Sequence, residues 1–195
     1  MKKLIVVLAI MLLAIAACST TINPQETKVE GGSATTTRGD VPADEVSKLI
    51  QQVKDDTLAK NDKSSNLVLP INIKKGKVGD TVVFGVNFNQ VTQPQGGYFA
   101  TITFVEGRDT SSNKIEVNKD TMRSWIRESQ SSDFTLEEKG SQYLPIIIKV
   151  GSEIKPGVKT VPGSYQYDFQ IHKRISPEFE EPVDALVKKV YVKVE

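Results

Sequence analysis

Apolar residues follow three different spacings along this chain. Residues 4–17 are an unbroken apolar run of 14. Residues 19–40 are rich in Thr, Ser, Gly and Glu with no apolar period, the composition of a flexible tether. Val46, Leu49, Ile50 and Val53 then follow the i, i+3, i+4, i+7 spacing of one helical face. Pro42 suits the first helical turn, and Asp44 and Glu45 suit the positive end of the helix dipole. From Asn66 onward the period is 2. Leu67, Leu69, Ile71 and Ile73 form one set; Val82, Phe84, Val86 and Phe88 the next; Tyr98, Ala100, Ile102 and Phe104 a third. Short sets follow at Ile115 and Val117 and at Phe134 and Leu136. The last are Leu144, Ile146, Ile148 and Val150, then Tyr165, Tyr167, Phe169 and Ile171, then Val190, Val192 and Val194. Seven or eight strands, each with one apolar face and bounded by Gly, Pro, Asn and Asp, predict an all-β antiparallel sandwich over residues 66–195. An amphipathic helix over 41–62 precedes it, its narrow apolar face suited to packing on the neighbouring domain, the alternative being a partner-binding helix.

The apolar run at the start reads as a processing signal. It follows the basic Met1-Lys2-Lys3, and its length falls short of the roughly 20 residues that a spanning helix needs. It ends in Ile15-Ala16-Ala17-Cys18, with Ser19-Thr20-Thr21 after it. This resembles the lipobox of prokaryotic lipoproteins, in which a branched residue and two small residues precede a Cys. The resemblance implies that residues 1–17 are a signal peptide, that cleavage leaves Cys18 first, and that its thiol carries the lipid. It also implies an extracytoplasmic protein held to the membrane by that lipid, with residues 18–40 as the tether. The alternatives are an uncleaved anchor helix and an ordinary secretory signal. Twenty-two tether residues reach roughly 25 Å as a flexible chain.

Charge and cysteine content narrow the chemistry. With 25 basic and 24 acidic residues, the chain lacks the concentrated positive charge of a nucleic-acid binder. Its single Cys permits no internal disulfide, so an exported domain must rely on its packed core. The single His172 excludes a multi-His metal site and falls opposite the apolar face of its strand. No nucleophile elbow or phosphate loop is present. The acidic pairs Glu137-Glu138 and Glu180-Glu181 are sequence neighbours, which on a strand would diverge. Asp62-x-Ser64-x-Asn66 fails as a calcium loop, with Leu67 where Gly and Ile73 where Glu would be required. No catalytic residues, metal site or cofactor are expected.

The segment Val161-Pro162-Gly163-Ser164-Tyr165-Gln166-Tyr167-Asp168-Phe169 resembles the penultimate-strand region of an immunoglobulin-like domain. There a Gly-x-Tyr step opens strand F, and the Tyr hydroxyl bonds backbone across the corner. Gly163 and Tyr165 match that step, and Tyr167 stands where antibody-type domains place a Cys. Lacking both core Cys residues, the chain is more similar to the Cys-free Ig-like modules of archaeal cell-surface and S-layer-associated proteins, with residues 133–195 carrying the match. The resemblance implies a structural or adhesive interaction module at the cell envelope. The alternatives are a module binding a glycan or another envelope polymer, and an accessory lipoprotein of a secretion or pilus assembly.

In such a fold the B–C and F–G connections share one end. The candidate binding loops are therefore residues 89–97, with Asn89, Gln93 and Gln95, and residues 173–186, with Lys173, Arg174, Glu178, Glu180 and Glu181. Trp125 is either a stacking platform for sugar or part of the core.

Overall fold

The computed structural model describes residues 43–127, 134–176 and 179–195. Ile15, Ala16, Ala17, Cys18 and the tether lie outside the described residues, as does Glu178. The elements run α1 (Ala43–Ala59), β1 (Leu67–Val68), β2 (Ile73–Gly76), β3 (Thr81–Asn89), β4 (Gly96–Asp109), β5 (Lys114–Ile115) and α2 (Lys119–Arg123). They continue β6 (Ile126–Arg127), β7 (Phe134–Leu136), β8 (Ser141–Lys149), β9 (Glu153–Lys155), β10 (Val158–Lys159), β11 (Gly163–Ser176) and β12 (Phe179–Val194). No described helix is long and apolar enough to cross a membrane.

The strands form two sheets packed face to face, with β9 and β10 pairing as a separate small hairpin. One sheet has the order β1-β3-β8-β6, the other β2-β12-β11-β4-β5, with β7 also pairing β4. These are the A-B-E-D and G-F-C orders of the immunoglobulin fold. The period-2 positions make the core. Phe84, Val86, Phe88, Ile146 and Ile148 from the first sheet meet Tyr98, Tyr165, Tyr167, Phe169, Ile171, Val190 and Val192 from the second, all buried.

Helix α1 covers the outer face of the first sheet, which is why every residue of β3 from Val82 to Asn89 is buried. Val53 and Thr57 are its buried contacts. Gly85 of β3 makes the approach possible: a Cβ there would lie 2.0 Å from Thr57 Oγ1 and 3.1 Å from Tyr143 Cε2. The Thr57 hydroxyl donates to the Val53 carbonyl at 2.7 Å, which completes its own bonding within the helix.

Three expectations are corrected. The alternation from Leu67 to Ile73 is not one strand. Pro70 has no N–H to give a ladder, so the chain leaves β1, beside β3, and re-enters as β2 in the other sheet, with Ile71 and Ile73 exposed. The sandwich is antiparallel except there, because β2 runs parallel to β12. Residues 173–186 are not a loop. Lys173 and Arg174 belong to β11, and Glu180 and Glu181 belong to β12, paired as Lys173↔Glu181 and Arg174↔Glu180. The opposite charges that read as a solvated loop face each other across strands, where such pairs are stabilising. The ladder survives Pro182 by bulging: Val187 lies opposite Gln170 but Pro182 opposite His172, and the extra residues let Leu186 turn into the core.

Candidate functional site

One end of the sandwich gathers the connections 60–66, 90–95 and 137–140 with the end of the β11–β12 hairpin. Three amide side chains bind the connections to each other. Asn89 ends β3 and is buried. Its Nδ2 donates to Asn61 Oδ1 at 2.9 Å and to the carbonyls of Asp62 and Ser65 at 3.1 and 2.9 Å. Its Oδ1 accepts from Asn61 Nδ2 at 3.1 Å and from Asn87 Nδ2 at 2.7 Å. Asn66 Oδ1 accepts from the backbone N–H of Thr92 at 3.0 Å, and its Nδ2 donates to Thr92 Oγ1 at 2.7 Å. Gln90 donates to the Gln93 carbonyl at 2.8 Å and accepts from the Lys139 N–H at 3.0 Å. A groove of about 600 Å³ lies over this knot, lined by Asn61, Lys63, Gln90, Glu138, Lys139 and Ser141 among others. The amides that line it already have protein partners, so they serve as fasteners rather than as free ligand contacts. This holds for Asn89, expected in a binding loop and found buried. Gln93 is half-buried and Gln95 exposed in the connection 90–95.

The hairpin ladder outlasts the ladder between β11 and β4. The pairing of β11 with β4 ends at Lys173↔Tyr98, whereas β11 and β12 stay paired to Ser176↔Phe179. The end of the hairpin bears Ile175 and Phe179, 54% and 59% exposed. Its base is held on the outer sheet face. The Arg174 guanidinium pairs with Glu180 at 3.2 Å and sits 5.3 Å above the Phe99 ring. His172 stacks on the same ring at 4.7 Å, with its Nε2 2.8 Å from Thr101 Oγ1. His172 is therefore opposite the core as its alternation requires, but half-buried.

The opposite end carries the corner and a larger cleft. Gly163 opens β11 where a Cβ would lie 2.3 Å from the Arg108 carbonyl oxygen, and the Tyr165 hydroxyl donates to the Val161 carbonyl at 2.8 Å. Tyr167 takes the core place that the sequence assigned it, 5.4 Å from Phe104, and burial pushes its phenol well above the ordinary range. Its hydroxyl has no hydrogen-bond partner. The cleft, about 900 Å³, is lined by Asp80, Arg127, Lys149 and Glu153, two charges of each sign, and by one edge of Trp125. Trp125 itself is buried, its Nε1 donating to the Glu153 carbonyl at 3.2 Å and its ring tilted 5.1 Å from that of Tyr165. Gly151 leaves it room, since a Cβ there would lie 2.2 Å from Nε1. No stacking face is left for a sugar. Among the described residues, no three His, Cys, Asp or Glu side chains gather to hold a metal.

No family model matches the chain. No curated protein matches it either. Among solved structures it is similar to PapD-like domain 7 of human CEP192, at 13% identity and a TM-score of 0.40, over 69% of this chain and 89% of that one. It is similar to the seventh type I cohesin of ScaB from Pseudobacteroides cellulosolvens, at 13% identity and a TM-score of 0.31, over 67% and 91%. A family 123 glycoside hydrolase from Clostridium perfringens also matches, at 13% identity and a TM-score of 0.39, over 75% of this chain but only 25% of the hydrolase. Identities this low say nothing about activity or ligand.

Proposed function

We propose that this chain is a lipid-anchored, extracytoplasmic Ig-like module that works without bond chemistry, by presenting the end of its β11–β12 hairpin to a protein of the cell envelope. The observation that carries this reading is the pair of exposed apolar side chains, Ile175 and Phe179, at the end of the β11–β12 hairpin. Large apolar residues at such a place lose nothing by being covered, and aromatic anchors of this kind dominate binding energy at interfaces. The amide knot beside them supports the reading, because connections already ordered by Asn66, Asn89 and Gln90 cost little further entropy on docking. The lipobox residues Ile15, Ala16, Ala17 and Cys18 support the anchor. Two lipid chains hold a protein firmly, each buried CH₂ contributing about 0.8 kcal/mol.

Two substitutions separate the parts of this reading. Cys18→Ala should move the protein from the membrane to the soluble fraction. Ile175→Ser with Phe179→Ser should leave it in the membrane but abolish co-purification of its partner from solubilised envelopes. Retention of the Cys18→Ala protein in membranes would remove the anchor. An unchanged set of co-purified proteins with the hairpin variant would remove the hairpin surface.

A further inference from the structure

Helix α1 rests on its sheet through a small contact. Of its described side chains only Val53 and Thr57 are buried; Val46, Leu49, Ile50 and Lys54 are half-buried and the others exposed. What it covers is largely polar. Phe84, Val86 and Phe88 take the core side of β3, so alternation puts Gly85 and Asn87 on the outer side, with Tyr143 of β8 opposite Asn87. The Asn87 Nδ2 donates to Asn89 Oδ1 at 2.7 Å. Among the described residues, however, neither Asn87 Oδ1 nor the Tyr143 hydroxyl has a partner, and both atoms are buried. Lys74 lines a small recess with Val53, Asp56 and Thr57 of α1, and burial there holds its amine below the ordinary range despite the nearby Asp56. Docking α1 therefore desolvates polar groups in return for few apolar contacts, and lifting it gives them back to water.

The two ends of α1 are fastened differently. Its C-terminal end runs into the amide knot, where Asn61 and Asn89 exchange two hydrogen bonds and Asn89 also holds the Asp62 and Ser65 carbonyls. Toward its N-terminal end, from Asp44 to Gln52, no side chain is fully buried. Off the sheet the helix would not persist. Seventeen residues are marginal alone in water, Asp55 and Asp56 stand near the negative end of the dipole, and the last turn has no basic residue.

The geometry points to a releasable strap: we infer that α1 lifts from the first sheet as a unit and unwinds, turning about Lys60, while the knot and the sandwich stay folded. Its consequence is reach. As a helix these 17 residues are about 25 Å long, and drawn out they span roughly 55 Å. Tension along the preceding chain enters at Ala43, the loosely held end, so it peels α1 away before it loads the strands. A domain bound to a partner thereby gains about 30 Å of slack without unfolding. The opening rests on neither the lipid nor the hairpin partner, so it can fail while they stand, or stand while they fail.

The test is hydrogen exchange on the full chain in detergent micelles, over urea concentrations below the unfolding midpoint. The amides of residues 47–59, which the helix bonds internally, should exchange together and at least tenfold faster than those of residues 165–171. Their urea dependence should be weaker, since less surface opens. The Asn89 amide, bonded to the Asn66 carbonyl at 2.7 Å, should stay slower than those of α1. Val53→Ala should speed residues 47–59 by one common factor of about tenfold. Tyr143→Phe, which removes a hydroxyl that α1 covers without a bond, should slow them by a common factor of about five. Exchange of residues 47–59 as slow as that of 165–171, with the same urea dependence, would show that α1 leaves only when the sandwich unfolds and overturn the inference. So would variant effects that grade along the helix, the mark of fraying, or an Asn89 amide that exchanges with α1.

Discussion

Gly85→Ala tests whether α1 is seated on the first sheet as described. In an ordinary strand this change should stabilise the protein by roughly 0.5–1 kcal/mol, because Gly loses more freedom on folding than Ala. Here the new Cβ would meet Thr57 Oγ1 at 2.0 Å, with Thr57 Cβ and Tyr143 Cε2 both at 3.1 Å. Rotating the Thr57 hydroxyl away would break its bond to the Val53 carbonyl and still leave two tight carbon contacts. The helix must therefore lift, and overpacking of this kind costs about 1–3 kcal/mol. The ceiling is loss of docking altogether, which exposes Val53 at about 1.5–3 kcal/mol. We expect a loss of about 2 kcal/mol, which at a urea slope near 2 kcal/mol/M lowers the midpoint by about 1 M. Thr57→Ala removes the nearest obstacle, so the double variant should be more stable than the two single losses summed, by about 1 kcal/mol. Urea titrations of the four proteins with constant slope measure this. A neutral or stabilised Gly85→Ala protein, or strictly additive losses, would refute the packing of α1 on Gly85.

Other consequences follow from the buried polar groups. Tyr167→Phe should stabilise the protein by about 1 kcal/mol, since its hydroxyl is buried without a partner, while Tyr165→Phe should lose about 1 kcal/mol with its bond to Val161; both are read from denaturation midpoints. Asn89→Ala should cost about 3 kcal/mol, because it strands the buried amide of Asn87 and frees the 60–66 connection, which should then show faster hydrogen exchange. Burial, with a smaller contribution from Asp55, pushes the Tyr143 phenol up to about 12. The folded protein therefore holds this proton through a range in which the unfolded chain releases it. Its stability should be full below pH 10, decline between about 10 and 12, and decline less steeply in Tyr143→Phe, as a pH series of urea midpoints would show.

The sandwich was legible because its interior is built from strict alternation. Phe84, Val86 and Phe88 on β3, and Tyr165, Tyr167, Phe169 and Ile171 on β11, lie where period 2 puts them. The helix was legible for the same reason at period 3.6. What was missed depends on pairing between distant segments. Lys173 and Arg174 look like loop residues until Glu181 and Glu180 stand opposite them, and opposite charges placed symmetrically about residues 177–178 in the sequence were the available signal. Pro70 marked the break between β1 and β2, although nothing local shows that the chain changes sheets there. Asn89 carried no signal of its own, since a polar residue at the end of a strand is ordinary. Its role comes from Asn61, Asp62 and Ser65, more than twenty residues away.

The central claim is that the hairpin end meets a protein partner at the membrane. Site-specific photocrosslinking from position 176, next to Ile175 and opposite Phe179, tests it most directly in intact cells. We expect one discrete crosslinked protein, lost when Ile175→Ser and Phe179→Ser are combined and kept in Gln95→Ala. A crosslinking pattern identical with and without the two apolar side chains, or none at all from this position, would contradict the account.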